Sequence, residues 1–235
     1  MDARLRVLVH GATGRMGQAL LRLCAESAEF DVVGAVSRRP SQRVIDGVPQ
    51  FAAAESNGVP AFDVAIDFSL PDAFDRILTL CVSRKSALVS GTTGLADAQR
   101  QALDAAGKSI PLAWASNFSL GVAVLHELVA RAAQALPGWD CDIIEAHHVR
   151  KQDAPSGTAV TLGQSAEAGG ATPRFASIRA GDIVGEHKVQ FTGLGERVEL
   201  VHRAGNRDIF ARGALHAASR LVGRAPGVYG IRDLL

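Results

Sequence analysis

The stretch Leu5–Val36 constrains the fold most. Leu5–Val9 is a short β-rich run, and glycines follow at positions 11, 14 and 17. Gln18–Ala25 then carries a helical pattern, and Val32–Val36 is a second apolar run of strand length. Strand, glycine turn, helix and strand in that order make a dinucleotide-binding βαβ unit. Glycines at those places permit a tight turn, close approach of backbone to a pyrophosphate, and close packing of helix on sheet. The first helix turn then offers unpaired N–H groups to phosphate. The spacing is Gly-x-x-Gly-x-x-Gly, so its position directly after the first strand carries the reading.

Further strands are expected at Val64–Phe68, Ala87–Ser90 and Pro111–Trp114, with helices near Asp72–Val82 and Ala96–Ala105. Alternation of this kind implies a parallel sheet covered on both faces. After Asn117 the texture changes. A long amphipathic helix (Leu120–Leu136), a strand (Asp142–His147) and a helix (Thr158–Ala168) precede strand-like runs at Phe175–Ile178, His187–Phe191 and Val198–Val201. Consecutive strands without intervening helices suggest a mixed or antiparallel sheet. The fold class expected is therefore α/β, with an N-terminal Rossmann-type dinucleotide-binding domain over residues 1–118 and a smaller α+β domain over 119–207. Asp208–Leu221 reads as a final helix, and residues 208–235 are expected to pack back on the first domain. Glu167–Pro173 reads as the loosest stretch.

The 235 residues suffice for one large or two small cores. A net charge of +1 argues against a nucleic-acid binder that works through global charge. Cys24, Cys81 and Cys141 are widely spaced and odd in number, which fits buried small hydrophobes better than a disulfide framework or a metal site. The charged start around Asp2, Arg4 and Arg6 suits a first strand, not a signal peptide, and no run reaches membrane-spanning length. No nucleic-acid partner, membrane partner or metal is expected, and the cytoplasm is the default location.

The segment Ile143-Ile-Glu-Ala-His-His-Val-Arg-Lys-Gln-Asp-Ala-Pro-Ser-Gly-Thr-Ala159 runs from an apolar strand into two histidines, an arginine and a lysine. A turn at Pro155 leads to a Ser-Gly-Thr able to open a helix. Strand end, cationic side chains and helix start thus converge where an anion is attracted. His147 and Lys151 add two proton donors. Asp153 reads as a turn or cap residue.

At the end of the second strand, where NAD-preferring folds carry an acidic residue, stand Ser37, Arg38 and Arg39. A carboxylate repels a 2′-phosphate, whereas guanidinium groups bind it, so these residues favour NADPH over NADH.

The segment 143–159 resembles the Glu-(x)-His-His-x-x-Lys-x-Asp-x-Pro-Ser-Gly-Thr-Ala pattern of the 4-hydroxy-tetrahydrodipicolinate reductase family, long called dihydrodipicolinate reductases. The resemblance extends through Gly11-Ala-Thr-Gly-Arg-Met-Gly17, Gly91-Thr-Thr-Gly94, Ser116-Asn-Phe-Ser119 and Arg179-Ala-Gly-Asp-Ile-Val-Gly-Glu-His187. It implies NAD(P)H-dependent reduction of a cyclic dicarboxylate in the diaminopimelate route to lysine. Gly11, Ala12, Thr13, Gly14, Arg15 and Met16 would then hold the cofactor. Gly91, Thr92, Thr93, Ala115, Ser116, Asn117 and Phe118 would line it. By the same resemblance His147 and Lys151 act in proton transfer, His148 contacts substrate, and the Gly157 and Thr158 amides bind its carboxylate. A homotetramer joined through the second domain is also implied. Two departures stand out: Val149-Arg150 between the histidines and Lys151, and a shortened stretch between Gly163 and Pro173.

Three other readings compete. Short-chain dehydrogenases need Tyr-x-x-x-Lys, and the single tyrosine, Tyr229, has Asp233 four residues on. A non-catalytic NADPH sensor would keep the glycine turn without needing His147 and Lys151. A two-domain dehydrogenase acting on aspartate or homoserine would not carry the Pro-Ser-Gly-Thr block.

Overall fold

The computed structural model describes residues 3–235 and divides them into two compact units. One comprises the chain up to Phe118 together with Phe210–Leu235, and the other comprises Ser119–Ile209.

In the first unit, β1 (Leu5–His10), α1 (Arg15–Ala25) and β2 (Phe30–Ser37) form the expected opening, with the helix starting one turn earlier than its apolar pattern. β3 (Val44–Ile45) and β4 (Val48–Ala52) follow, then β5 (Val64–Asp67), α2 (Pro71–Arg84), β6 (Ala87–Ser90), α3 (Asp97–Ala106) and β7 (Pro111–Trp114). From the far end of the chain come α6 (Asp208–Leu221) and β12 (Gly227–Tyr229). The sheet order is β12-β7-β6-β5-β1-β2-β4-β3, parallel throughout except for the short β3.

Both faces of this sheet are buried, which explains why its strands are apolar runs without alternation. Val7, Val9, Ile66 and Val89 pack on one face against α1 and α6 residues such as Leu20, Ala214 and Ala218. Leu8, Ala65, Leu88 and Leu112 pack on the other against Phe74, Ile77 and Leu103 of α2 and α3. Helix α6 lies close to the chain end of this unit because Gly213 has no side chain. A Cβ there would fall 1.6 Å from the Phe118 carbonyl oxygen.

The second unit contains α4 (Leu120–Ala135), β8 (Asp140–His147), α5 (Gly157–Ala168), β9 (Pro173–Arg179), β10 (Gly185–Thr192) and β11 (Arg197–Ala204). Its sheet is mixed, ordered β11-β10-β8-β9, with β8 parallel to β9 and antiparallel to β10. Ile143, Val189 and Phe191 pack beneath Leu125, Val129, Leu162 and Ala166 of the two helices. Residues of β8 and β10 alternate between buried and half-buried, as a sheet covered on one face requires.

The stretch after α5 is turn and irregular chain, with one packed point: a Cβ at Gly169 would meet the Ala130 carbonyl at 2.6 Å, so this residue lies against α4. All three cysteines are buried and free. Among the described residues no helix is long and apolar enough to cross a membrane.

Candidate active site

The glycine turn closes on itself as its spacing demands. Gly11 has φ of +80°, and a Cβ there would lie 2.5 Å from the Phe68 carbonyl oxygen. A Cβ at Gly17 would lie 2.4 Å from the Gly11 carbonyl oxygen, so only glycine lets α1 approach β1 this closely. Gly14 caps α1 and no side chain takes its first amides. That leaves a helix start suited to phosphate.

Beside it lies a cleft of about 710 Å³ lined by Gly11, Thr13, Gly14, Ser37, Arg38 and Arg76, among others. The Ser37 hydroxyl is buried without a hydrogen-bond partner in this structure. Arg38 lines the cleft, whereas Arg39 is exposed and does not. Arg15 is exposed, Met16 half-buried, and Ala12 packs into the core beneath the turn. Glycine cradle, uncapped helix start and adjacent cleft together fit a dinucleotide.

A residue absent from the sequence expectations organises this end of the sheet. Asp67 closes β5 with no solvent exposure. Its Oδ1 accepts from His10 Nδ1 (2.7 Å) and the Ser69 amide (3.1 Å), and its Oδ2 from Ser90 Oγ and Thr92 Oγ1 (both 2.8 Å). Burial alone would raise this carboxyl, but the His10 hydrogen bond and charge, with the smaller contributions of Ser69 and Ser90, hold it below its ordinary value. Thr92 therefore serves through its side chain as a brace. A Cβ at Gly91 would strike the Phe68 ring at 2.2 Å. Phe118 packs edge-on to Phe68, with centroids 5.8 Å apart. Ala115 and Asn117 are half-buried, and Thr93 and Ser116 are exposed.

In the second unit, strand alternation puts Glu145 and His147 on the same face of β8. Glu145 is 1% exposed. His147 Nδ1 meets its Oε2 at 2.5 Å, Arg179 donates to both oxygens at 2.7 and 2.9 Å, and the Ser156 amide donates at 3.2 Å. Burial raises the Glu145 carboxyl, yet hydrogen bonds from Arg179, Ser177 and His147 outweigh it and hold the group at about 2. Arg179 reaches this place because β9 runs parallel to β8 with His147 paired to Arg179. The signal in the sequence was the two-residue spacing of Glu145 and His147 in a strand.

Ser156 caps α5, its Oγ accepting from the Ala159 amide. His187 Nε2 lies 3.2 Å from that same Oγ, and the His187 and His147 rings meet edge-on with centroids 5.2 Å apart. Burial, followed by the charges of His147 and His202, pushes His187 down to about 4.

The loop after β8 brings the remaining cations together. Lys151 Nζ pairs with Asp153 Oδ1 at 2.8 Å, and the Gly157 amide also bonds Asp153. Asp153 is thus a turn residue, as its sequence suggests, and it also engages two groups suited to an anion. His148 is lowered first by burial, then by the charges of Arg150, Arg207, His147 and Lys151. Arg207 is a further cation that sequence reading passed over. Thr158 is the second residue of α5.

His187 gives the fold an acid sensitivity. Its value is 6.5 unperturbed and about 4 here, so between those limits the unfolded chain takes up a proton that the folded chain refuses. Stability contributed by this site is complete above about pH 6.5 and is lost as pH falls towards 4, by roughly 3 kcal/mol. His187→Gln should flatten the fall in urea midpoint between pH 7 and 4.5. An unchanged slope would place the acid sensitivity elsewhere.

The chain matches the family model described as dihydrodipicolinate reductase, N-terminus, over residues 5–118, and the corresponding C-terminus model over residues 121–235. It is 72% identical over 233 residues to the 4-hydroxy-tetrahydrodipicolinate reductase of Stenotrophomonas maltophilia, covering 98% of each chain. It is 64% identical over 236 residues to that of Xylella fastidiosa, covering 100% of each. Among solved structures, dipicolinate-bound dihydrodipicolinate reductase from Paenisporosarcina sp. TG-14 superposes with a TM-score of 0.86 at 24% identity, covering 99% of this chain and 100% of that one. With both family models matched in order along its length, the chain belongs to the dihydrodipicolinate reductase family.

Proposed function

We propose that the protein reduces 4-hydroxy-tetrahydrodipicolinate to tetrahydrodipicolinate with a reduced nicotinamide dinucleotide, in the diaminopimelate route to lysine, and that it does so in the cytoplasm. The observation that carries this reading is one loop of the second unit. It presents His147 anchored on Glu145, Lys151, and the start of α5 within eleven residues of one another.

The first unit's glycine turn, from Gly11 to Met16, and the loops at 91–93 and 115–118 hold the dinucleotide. When bound, it supplies the hydride. The second unit supplies the rest. The Gly157 and Thr158 amides and His148 hold the dicarboxylate, whose carboxylate takes over from Asp153 the cationic surroundings that Asp153 occupies without substrate. The 4-hydroxyl leaves as water to give a conjugated cyclic imine; its reduction leaves negative charge on the ring, and the balancing proton comes from His147 or Lys151. A positioned acid acts mainly in the transition state, whereas an amide holding a carboxylate acts in ground and transition states alike. Ser37 and Arg38 favour NADPH, because the end of β2 carries no carboxylate to repel a 2′-phosphate. NADH remains a usable, weaker cofactor.

The second sheet supports a homotetramer. Its face opposite α4 and α5 carries Ile178 and Val201, 49% and 41% exposed, where alternation places them with Ile144 and Ala176.

Four outcomes follow. The purified protein, coupled to the preceding synthase, should oxidise the reduced nicotinamide only when the dicarboxylate is formed. Lys151→Met or His147→Ala should lower kcat by roughly 10²–10⁴ with little change in nucleotide KM. No substrate-dependent oxidation with either cofactor sinks the reading, and near-normal kcat in either variant removes that residue from proton transfer. Arg38→Ala should weaken NADPH by about 1–3 kcal/mol in kcat/KM and spare NADH; equal losses would show that Arg38 does not read the 2′-phosphate. Light scattering at micromolar protein should return four times the chain mass, and a monomer mass would refute the assembly.

A further inference from the structure

We propose that Glu145, kept ionised by Arg179, is the positioning residue for His147. It fixes the ring so that Nδ1 carries the inward hydrogen and Nε2 exchanges protons with substrate. The proposal rests on the reading of His147 as a proton donor.

The argument begins with lone pairs. An ionised carboxylate offers about four acceptor sites and no donor. In Glu145 all four are occupied: Oε1 by Arg179 Nη2 and the Ser156 amide, Oε2 by Arg179 Nη1 and His147 Nδ1. Arg179 and the Ser156 amide only donate, and the Ser177 hydroxyl also bonds the carboxyl. A hydrogen on Glu145 could face only the ring or the Ser177 hydroxyl. The bidentate Arg179 pair opposes that state, because a protonated carboxyl forfeits one charge-assisted bond. The hydrogen between Glu145 and His147 therefore belongs to Nδ1, and a neutral His147 keeps its lone pair on Nε2.

The ring is also held from the opposite side. A Cβ at Gly185, the first residue of β10, would fall 3.1 Å from His147 Nε2. His187 on the same strand meets the ring edge-on. Carboxylate on one side and strand backbone on the other leave the imidazole little freedom to turn over. A flipped ring would put Cδ2–H in place of an N–H against an ionised oxygen, and the other tautomer would put a bare nitrogen there.

The charged and titratable groups around this pair are few. Among the described residues they are Arg179 from β9, His187 from β10, and His148, Lys151 and Asp153 from the loop after β8. Arg179 also donates to the Asp153 carbonyl at 2.5 Å, so the residue that keeps Glu145 charged is tied to the loop carrying Lys151. Arg179 bonds the Glu145 carboxylate and the Asp153 carbonyl. It acts through Glu145, and Glu145 acts through His147.

The test reads the imidazole directly. In the wild-type protein without substrate, at a pH high enough for the ring to be neutral, ¹⁵N chemical shifts of His147, assigned by its loss in His147→Ala, should report the tautomer with hydrogen on Nδ1. A neutral form with hydrogen on Nε2 overturns the proposal, whatever the enzyme's activity. Glu145→Gln can turn its amide NH₂ towards the ring, so it should shift the tautomer towards hydrogen on Nε2. It should also lower kcat by about 10²–10⁴-fold and leave nucleotide KM within roughly two-fold. Glu145→Gln with wild-type tautomer and kcat overturns the proposal. If Glu145→Gln does not fold, Arg179→Lys is read in the same way: its single ammonium cannot span both oxygens, and a kcat loss should follow without loss of nucleotide binding. Because the wild-type spectrum needs no substrate, absence of reductase activity would count against the reaction and not against this arrangement.

Discussion

A buried carboxylate stays ionised only if donors fill its lone pairs, and the site of the second unit depends on that condition at Glu145. An uncompensated charge in such a place costs several kcal/mol, and removing one partner of a buried pair typically costs about 3–5 kcal/mol. Two oxygens therefore bind together the end of β8, the end of β9 and the cap of α5. No one of those pieces can drift without stranding a charge. The same contacts hold His147 rigid beside a loop whose other members, Lys151 and Asp153, are more exposed.

The first unit uses the same device for a different purpose. Asp67 gathers donors from the carboxyl ends of β1, β5 and β6, and so ties the glycine turn to the loops after the neighbouring strands. In parallel sheets these are the ends at which ligands bind. A backbone that must approach a phosphate closely cannot be bulky, so side-chain packing cannot stiffen it. Here a satisfied buried carboxylate supplies the stiffness that Gly11, Gly14 and Gly91 cannot. Each unit thus places one saturated carboxylate directly behind the residues that would meet a ligand.

Particular elements show how far sequence reading reached. The strands of the first sheet were legible because both faces are buried, so each is an apolar run bounded by polar turns. The β3–β4 hairpin was not read, although Asp46-Gly47, both with positive φ, is a strong hairpin signal. The flanking strands of two and five residues are too short to show a period. β12 was missed for the same reason: three residues, Gly227–Tyr229, become a strand only because β7 offers them an unpaired edge. The stretch before Pro173 is turn and irregular chain, as its glycines suggest, but only packing shows that Gly169 lies where α4 is too close for any side chain.

The sequence by itself determined the βαβ opening, the change from parallel to mixed sheet, and the loop carrying His147, Lys151 and the start of α5. These depend on periodicity and on spacing within short segments, which a chain displays before it folds. Only the tertiary structure decided that Glu145 and Arg179, 34 residues apart, share one salt bridge beneath His147, and that Asp67 collects its donors from three strands. It also decided that His187 lies against both His147 and the cap of α5. Such partnerships follow from strand order and register. Those are settled by the burial of whole sheet faces, which no local pattern encodes.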